Sequence, residues 1–298
     1  MDVSVIIVNY NTTELLLSCI NSVLEHTHGV SYEIIVADNG SSDSSLVPLR
    51  ADKRLRLVEL GENLGFGRAN NAGAVIARGD HLFLLNPDTL LVNDAITILF
   101  RHLKEHPQTG ICGGNLFDSN MQPVHSHHMQ MPSLLSEADT VAGHLYAKLR
   151  YGRNTLFNHT GENMHVAAIT GADMMIRREA WEKTGGFDPA FFMYFEDTDL
   201  CLRVKKEGYD IVNVPQAHII HLEGKSFGKA KLRAERFFKG RHVFFHKHYP
   251  PFYNTLTDAM NITTIGLGTA LSKLLGRQEK AELYRERLHI YRQLLKSN

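Results

Sequence analysis

Short runs of β-branched and apolar residues alternate with segments of helical period through the first 116 residues of this 298-residue chain. This alternation is typical of βαβ units, in which helices flank a mainly parallel sheet. The unbroken apolar runs indicate strands that are buried on both faces. The predicted strands are Val3–Val8, Glu33–Ala37, Leu55–Glu59, His81–Leu85 and Ile111–Leu116, and the predicted helices are Thr13–Glu25, Phe66–Arg78 and Val92–His106.

Periodicity is weaker over Phe117–Val166, a stretch rich in His, Met, Asn and Gln. A connection of this length is expected to shape a substrate site. Regular structure returns with a strand at Ile169–Ile176, a helix from Glu196 to Gly208, and two short strands at Asp210–Val214 and Ala217–Ile220. The C-terminal third is predicted to be helical over Lys229–Lys247, Ile262–Leu275 and Arg277–Leu295.

Charge and cysteine content exclude several classes of protein. The 32 Lys and Arg balance the 32 Asp and Glu, so no global basic field favours nucleic acid as a partner. The three cysteines fit neither a disulfide framework nor a paired zinc site, and we interpret them as core thiols of a reducing compartment. The sequence has no apolar run of ~20 residues and no signal peptide, which predicts a cytoplasmic location.

Polar residues directly follow the first two predicted strands, where open α/β sheets bind ligands. Asn9 and Asn11 follow the first strand, and Asp38 and Asn39 follow the second. A carboxylate at Asp38 can accept hydrogen bonds from a base or a ribose, whereas the simpler alternative is a turn that caps the next helix.

The loop after the third strand contains Asn63, Gly65 and Gly67. It resembles a dinucleotide fingerprint only in part, because Asn70 occupies the position of the third glycine. A dinucleotide-binding fingerprint is therefore a poor match for this loop.

Two positions suit a divalent cation. Asp88, in Asn86-Pro87-Asp88, follows the fourth strand and offers the carboxylate oxygen that Mg²⁺ or Mn²⁺ prefers, although such a turn also forms without a metal. His221 ends a predicted strand and is either a metal ligand or a structural histidine. The nearby Gly-Lys-Ser is not a Walker A motif, because Ile219 stands where the first glycine is required.

Three carboxylates, Glu196, Asp197 and Asp199, begin a predicted helix. Close like charges raise one another's pKa, which suits a general base, while a helix N-terminus favours the charged form. Acidic residues in a first helical turn also occur simply as complements of the helix dipole.

Taken together, these segments resemble an inverting glycosyltransferase of family 2, a rhamnosyltransferase-like member with the GT-A nucleotide-diphospho-sugar transferase fold. The resemblance covers about residues 3 to 225. The matching segments are Val5–Asn11, Asp38–Asp43, Asn63–Gly67, Asn86–Asp88, Thr170–Ala172 and Phe195–Asp199.

The resemblance implies a role for each residue. Asp197 would be the base that deprotonates the acceptor, with Glu196 and Asp199 positioning it. Asp88 would hold Mg²⁺ or Mn²⁺ as the second aspartate of the family's Asp-x-Asp signature, whose first position is Asn86 here, and His221 would approach the metal or diphosphate. The implied nucleotide-sugar-binding residues are Asn9, Asn11, Asp38, Asn39, Asn63, Gly65, Asn70, Asn86 and Gly171.

The same resemblance implies a GT-A catalytic domain over 1–228, with a nucleotide-sugar half at 1–116 and an acceptor half at 117–228, and a helical extension at 229–298. The implied reaction moves rhamnose from dTDP-rhamnose, or a sugar from a UDP-sugar, to a hydroxyl of a glycan or lipid-linked acceptor in cell-surface polysaccharide synthesis. The alternatives are a sugar-phosphate nucleotidyltransferase and a non-catalytic nucleotide-sugar-binding protein.

The predicted helix Lys229–Lys247 combines seven Lys or Arg with four interleaved phenylalanines. Such a helix can lie on the inner face of the plasma membrane, where a lipid-linked acceptor is found. The equal alternative is a helix that packs its phenylalanines against the catalytic domain and leaves its Lys and Arg in water.

Overall fold

The computed structural model describes residues 1–42, 46–222 and 230–297. Asp43, Lys229 and the predicted domain boundary after residue 228 lie outside them. The strands are β1 Val3–Asn9, β2 Tyr32–Asp38, β3 Leu55–Glu59, β4 His81–Leu85, β5 Thr89–Leu91, β6 Thr109–Phe117, β7 His127–His128, β8 Met164–His165, β9 Ala168–Ile169, β10 Asp173–Arg177 and β11 Asp210–His221. The helices are α1 Thr13–His26, α2 Leu46–Ala51, α3 Phe66–Ile76, α4 Ala95–Glu105, α5 Leu134–Val141, α6 Leu145–Tyr151, α7 Arg178–Thr184, α8 Glu196–Lys206, α9 Ala230–His248, α10 Pro251–Leu274 and α11 Gln278–Ser297.

One large sheet forms the centre of the fold, with strand order β3-β2-β1-β4-β10-β6-β11-β5 and β8 paired to β11. The pairs β3-β2, β2-β1 and β1-β4 are parallel. Beyond β4 the sheet is mixed, since β10 runs antiparallel to both neighbours while β11 is parallel to β6. This confirms the α/β class with a flanked central sheet, and confines the uninterrupted parallel arrangement to the N-terminal half.

Burial explains why the N-terminal strands form. Every residue of β1 and β4 is buried, as expected for strands covered on both faces. The three cysteines are buried and free, as predicted. Helix α3 packs closely on β1: a Cβ added at Gly73 would lie only 2.6 Å from the Ile6 side chain. This close packing brings the start of α3 to the edge of the sheet where β1 and β2 end.

The structure differs from the predicted elements in several places, among them α10, which begins at Pro251 and not at Ile262. The predicted strand Ile169–Ile176 is divided into β9 and β10 by a turn at residues 170–172. The two strands predicted over 210–220 are one strand, β11, with an irregular register between Asn213 and His218. Pro215 lies in that interval, where a missing amide donor is tolerated. Strand β5 was not predicted.

The described residues form two compact units. The first contains 1–129, 153–192 and 196–222 and includes the central sheet. The second contains 130–152, 193–195 and 230–297, so α5 and α6 belong with the C-terminal helices. The excursion Phe117–Val166 is therefore shared between the units.

Helix α9 buries most of its aromatic residues within the second unit. Phe238, Phe244 and Phe245 are at most 5% exposed, and Arg241 is also buried, in contact with Glu137 and Asp258. The phenylalanines are therefore packed, as the second alternative expects, but within the second unit, and Arg241 is buried and not in water. No described helix combines the length and hydropathy that a membrane span requires.

Candidate active site

The ends of β1 and β2 form a hydrogen-bonded pair. Parallel register aligns Asn9 with Asp38, and Asn9 Nδ2 donates to Asp38 Oδ1 at 2.8 Å. Asp38 Oδ2 accepts the Ser41 amide at 3.0 Å, and the Ser41 hydroxyl accepts from Asn9 and from the Asn11 amide. Asn9 and Asp38 are buried while Asn11 and Tyr10 are exposed. Asp38 is therefore held in a fixed orientation by the turn itself, and its contact with a base or ribose stays a prediction.

A second amide network orders the loop before α3. Asn39 Oδ1 accepts the Leu64 amide at 2.8 Å, and Asn39 Nδ2 donates to Asn63 Oδ1 at 3.1 Å. Gly65 has a φ of +91°, and a Cβ there would collide with the carbonyl of Phe192. Glycine is required at this position because the chain combines a left-handed backbone with a close backbone contact.

The Asn86-Pro87-Asp88 turn leaves β4 beside the end of β11. Asp88 is 2% exposed, and its Oδ1 lies 3.3 Å from His221 Nε2. The Asp88 carbonyl also accepts the Leu222 amide at 2.9 Å. Asn86 Oδ1 is buried and has no hydrogen-bond partner among the described residues. The structure thus brings together three of the predicted residues, Asn86, Asp88 and His221.

This donor set suits a hard cation. Mg²⁺ and Mn²⁺ are held through one or two carboxylates, completed by substrate phosphates and water. No group of three or more His, Cys, Asp or Glu that could enclose a metal occurs in the described part of the chain. An Asp–His pair beside an unsatisfied amide oxygen fits a cation that a diphosphate helps to bind.

The turn at 170–172 connects this pair to the acidic helix. The Asn86 amide donates to the Ala172 carbonyl at 3.0 Å, and the Gly171 amide donates to Asp197 Oδ2 at 3.0 Å. A Cβ on Gly171 would lie 3.3 Å from the Phe66 ring and 3.7 Å from Asp197 Cβ. Gly171 therefore sets the spacing between the start of α3 and the first turn of α8.

Burial raises the pKa of both Glu196 and Asp197, but the two carboxyls differ in the hydrogen bonds that oppose the rise. Burial raises the pKa of Glu196 to about 8, and the neighbouring Asp197 charge raises it too. Glu196 Oε2 has no hydrogen-bond partner among the described residues. Burial also raises the pKa of Asp197, but amide hydrogen bonds from Thr198 and Gly171 and the charge of His125 oppose that rise. Glu196 therefore keeps a proton in preference to Asp197.

Two predicted site residues, Asp199 and Asn70, have side-chain partners within their own helices. Asp199 is fully buried and forms an ion pair with Arg203 at 2.8 Å, and Arg203 also donates to the carbonyls of Thr184 and Gly186. Asn70 is 1% exposed and donates to the Phe66 carbonyl of its own helix. Both side chains therefore help to stabilise the helices that carry them, and their roles toward a ligand stay predictions.

Two further residues belong to the arrangement although the sequence did not single them out. Ser41 bridges Asn9 and Asn11, a position that its place in the run after β2 could have indicated. His125 influences Asp197 electrostatically, and its ring packs edge-on against His128 at 4.3 Å. His125 precedes β7, which has only two residues and is too short for a periodic sequence pattern to predict.

The sequence model described as "Glycosyl transferase family 2" matches residues 4–185, which is more than half of the chain. The chain belongs to glycosyl transferase family 2. A second model, described as "N-terminal domain of galactosyltransferase", matches residues 153–225. Membership of family 2 confirms the predicted resemblance and a glycosyltransferase domain, and it favours that class over the nucleotidyltransferase alternative.

Curated relatives of this family 2 chain include rhamnosyltransferases. It is 31% identical over 220 residues to the N-acetylglucosaminyl-diphospho-decaprenol L-rhamnosyltransferase of Mycobacterium tuberculosis, covering 66% of this chain and 68% of that protein. It is 28% identical over 218 residues to the rhamnosyltransferase WbbL of Escherichia coli, covering 69% and 76% respectively. An uncharacterised Sinorhizobium fredii protein, y4gI, is 26% identical over 85% of this chain, which spans only 28% of that longer protein.

Solved structures confirm the GT-A fold of this family 2 member. The mannosyltransferase PcManGT from Pyrobaculum calidifontis, in complex with GDP-Man and Mn²⁺, matches 97% of this chain and 85% of its own, with a TM-score of 0.60 and 17% identity. TarS 1-349 of S. aureus, in complex with UDP-GlcNAc, matches 98% of this chain with a TM-score of 0.55 and 14% identity. At these identities the likeness concerns the fold.

Proposed function

We propose that the chain transfers a sugar from a nucleoside-diphospho-sugar to an acceptor hydroxyl, with inversion at the anomeric carbon. One observation carries this proposal. Hydrogen bonds run from the Asn86-Pro87-Asp88 turn to Ala172, and from the adjacent Gly171 to Asp197. A candidate cation ligand and a candidate base are thereby linked through the three-residue turn at 170–172, as a single displacement at a phosphorylated sugar requires.

Asp197 supplies the base. Its ionised carboxylate takes the proton from the acceptor hydroxyl as the hydroxyl oxygen bonds to the anomeric carbon, and the bond between that carbon and the diphosphate oxygen breaks. Glu196, protonated at neutral pH, adds no second negative charge beside the base. A single in-line displacement inverts the anomeric centre, since no covalent sugar–enzyme intermediate is formed.

Asp88 and His221 would hold Mg²⁺ or Mn²⁺, with Asn86 Oδ1 at the same turn. When bound, the cation neutralises charge that develops on the departing diphosphate. The Mn²⁺ in the complex of the structural neighbour PcManGT supports this part of the proposal. Asp38 and its amide network would receive the base or ribose of the donor, and the Asn63–Gly65 loop would approach the sugar diphosphate.

We propose rhamnose, from dTDP-rhamnose, as the first donor to test and a UDP-sugar as the second. The names of the mycobacterial and E. coli relatives support rhamnose. The mycobacterial relative is named for a diphospho-decaprenol acceptor, which supports a lipid-linked or glycan acceptor in cell-surface polysaccharide synthesis. Such an acceptor would place the reaction at the cytoplasmic face of the plasma membrane.

A donor panel tests the proposal. Binding and hydrolysis of UDP-, dTDP- and GDP-sugars are measured with Mn²⁺, with Mg²⁺ and with EDTA, and the transfer product is analysed by NMR for its anomeric configuration. Selective, metal-supported use of one donor and an inverted product are expected. The proposal would be contradicted if the chain bound none of these donors, or if the product retained the anomeric configuration of the donor.

A further inference from the structure

The outer face of α10 is apolar and exposed along the whole helix. We define the α10 face as the exposed residues that recur every three or four positions on one side of this helix: Phe252, Leu256, Ala259, Thr263, Leu267, Leu271 and Leu274. Phe252 is 67% exposed, Leu271 57% and Leu274 84%. This spacing is that of one continuous helical stripe.

The α10 face continues onto α5. A groove of about 310 Å³ lies between the two helices and is lined by Ala138, Val141, Leu256, Ala259, Met260 and Thr263. The neighbouring helix α6 adds Leu145 and Leu149, which are 56% and 79% exposed. Exposed apolar surface that extends over several helices is typical of an interaction site.

The carboxylates of these helices are all satisfied internally. Asp139 accepts the amides of Tyr146 and Ala147. Glu137 and Asp258 both pair with the buried Arg241. None of the three contributes an exposed negative charge to the surface of α5, α6 or α10.

The exposed charges of the same helices are cations. Within α5, α6 and α10, all of which the structure describes, the exposed charged side chains are Lys148, Arg150 and Lys273. The adjacent helix α11 offers a contrast, because its exposed side carries both Glu282 and Glu286 and both Arg285 and Arg287. The exposed side chains of α5, α6 and α10 thus include apolar groups and cations but no carboxylate, and such a combination is complementary to an anionic lipid headgroup layer.

We infer that α10, with α5 and α6, forms a docking surface for an anionic phospholipid bilayer. The leucines and Phe252 enter the headgroup–acyl boundary while the lysines and arginine contact lipid phosphates. A second copy of this chain fits less well, because a two-fold contact sets a patch against itself and would bring its cations together. The surface differs from α9, whose phenylalanines are mostly buried.

The inference rests on the proposed function, because membrane docking would bring the chain to a lipid-linked acceptor. The experiment that tests it measures only binding to vesicles. The full chain is floated with vesicles of phosphatidylcholine and with vesicles of phosphatidylcholine and phosphatidylglycerol. We expect flotation with the anionic vesicles, weakened by salt. The triple variant L267Q/L271Q/L274Q should bind at least about tenfold more weakly, because it loses apolar contact with the lipid.

The matched control is V47Q/V75Q, which changes two exposed valines, 71% and 84% exposed, on α2 and α3. It should float like the unmodified chain, and circular dichroism should show that both variants are folded. Absence of flotation with anionic vesicles, or equal flotation of the triple variant, would overturn the inference. So would a dimer in solution that the triple variant dissociates, if the unmodified chain does not float. Because donor hydrolysis is measured separately, the docking surface and the transferase proposal can fail independently.

Discussion

The amide of Gly171 donates a hydrogen bond to Asp197 Oδ2 at 3.0 Å, and this bond separates the roles of the acidic residues at the start of α8. It favours the ionised form of Asp197, whereas Glu196 Oε2 accepts no such bond among the described residues. The bond opposes the effect of burial on the pKa of Asp197, whereas burial raises the pKa of Glu196 to about 8.

Asp199 should affect stability more than chemistry. Replacing Asp199 with Asn breaks its buried ion pair with Arg203 and should lower the free energy of unfolding by about 3 kcal/mol. Urea denaturation measures the change. Glu207→Gln, at an exposed carboxylate just beyond α8, is the control and should change it by less than about 0.5 kcal/mol. A stable Asp199→Asn protein without activity would instead favour a direct catalytic role.

Metal-dependent donor binding should depend on Asp88 and His221. Asp88→Asn and His221→Gln should each weaken Mn²⁺-dependent binding of the donor by about 10–100-fold, because each removes one side of the candidate cation site. Isothermal titration with and without EDTA measures this. His218→Gln changes a histidine of the same strand that packs on Phe117, and should leave the metal dependence unchanged. If neither EDTA nor the Asp88→Asn substitution changed the affinity for the donor, the cation site would be refuted.

Gly65 should tolerate no side chain. Gly65→Ala combines a φ of +91° with a collision against the Phe192 carbonyl, whereas Gly161→Ala has a φ of +77° and open space around the new Cβ. Both variants incur the backbone cost of roughly 1 kcal/mol, but Gly65→Ala should lose about 2 kcal/mol more and bind donor weakly. Thermal unfolding of the pair isolates the collision. An equal loss of stability in the two variants would show that the loop moves to accommodate the Cβ at residue 65.

Stability should fall as pH rises through the range where Glu196 titrates. The folded-state pKa of Glu196 is about 8, above the value of 4.5 for an unfolded chain, so between these values the folded protein holds a proton that the unfolded chain has released. Stability from this group is therefore present at low pH and lost as pH rises toward 8. Glu196→Gln should flatten that part of the Tm–pH curve. An unchanged slope would contradict the assignment.

Much of the fold could be predicted from the sequence because its N-terminal strands are short, apolar and separated by helical periods. The predicted bounds of β3 and β4 match the structure, and those of β1 and β2 differ by a residue at an end. Strand β5 could not be found this way, because its three residues are held by antiparallel pairing with β11, far away in the sequence. Helices α5 and α6 lie in the stretch without periodicity.

The candidate site could be predicted in part. Asn9 and Asp38 follow adjacent strands, and parallel register brings such residues together. Asp197 and Asp199, in contrast, are two positions apart on a helix, about 200° around its axis, so they cannot face one site. The link from Asn86 to Ala172 and from Gly171 to Asp197 depends on β10 running antiparallel to β4, which local pattern does not indicate.

The most direct test of the account is the transfer rate of Asp197→Asn with the preferred donor and a suitable acceptor. The substitution keeps the shape of the side chain and removes its basicity. We predict that kcat falls by about 10²–10⁴-fold while donor affinity stays close to that of the unmodified chain. A kcat near the unmodified value would contradict Asp197 as the base and, with it, the proposed mechanism.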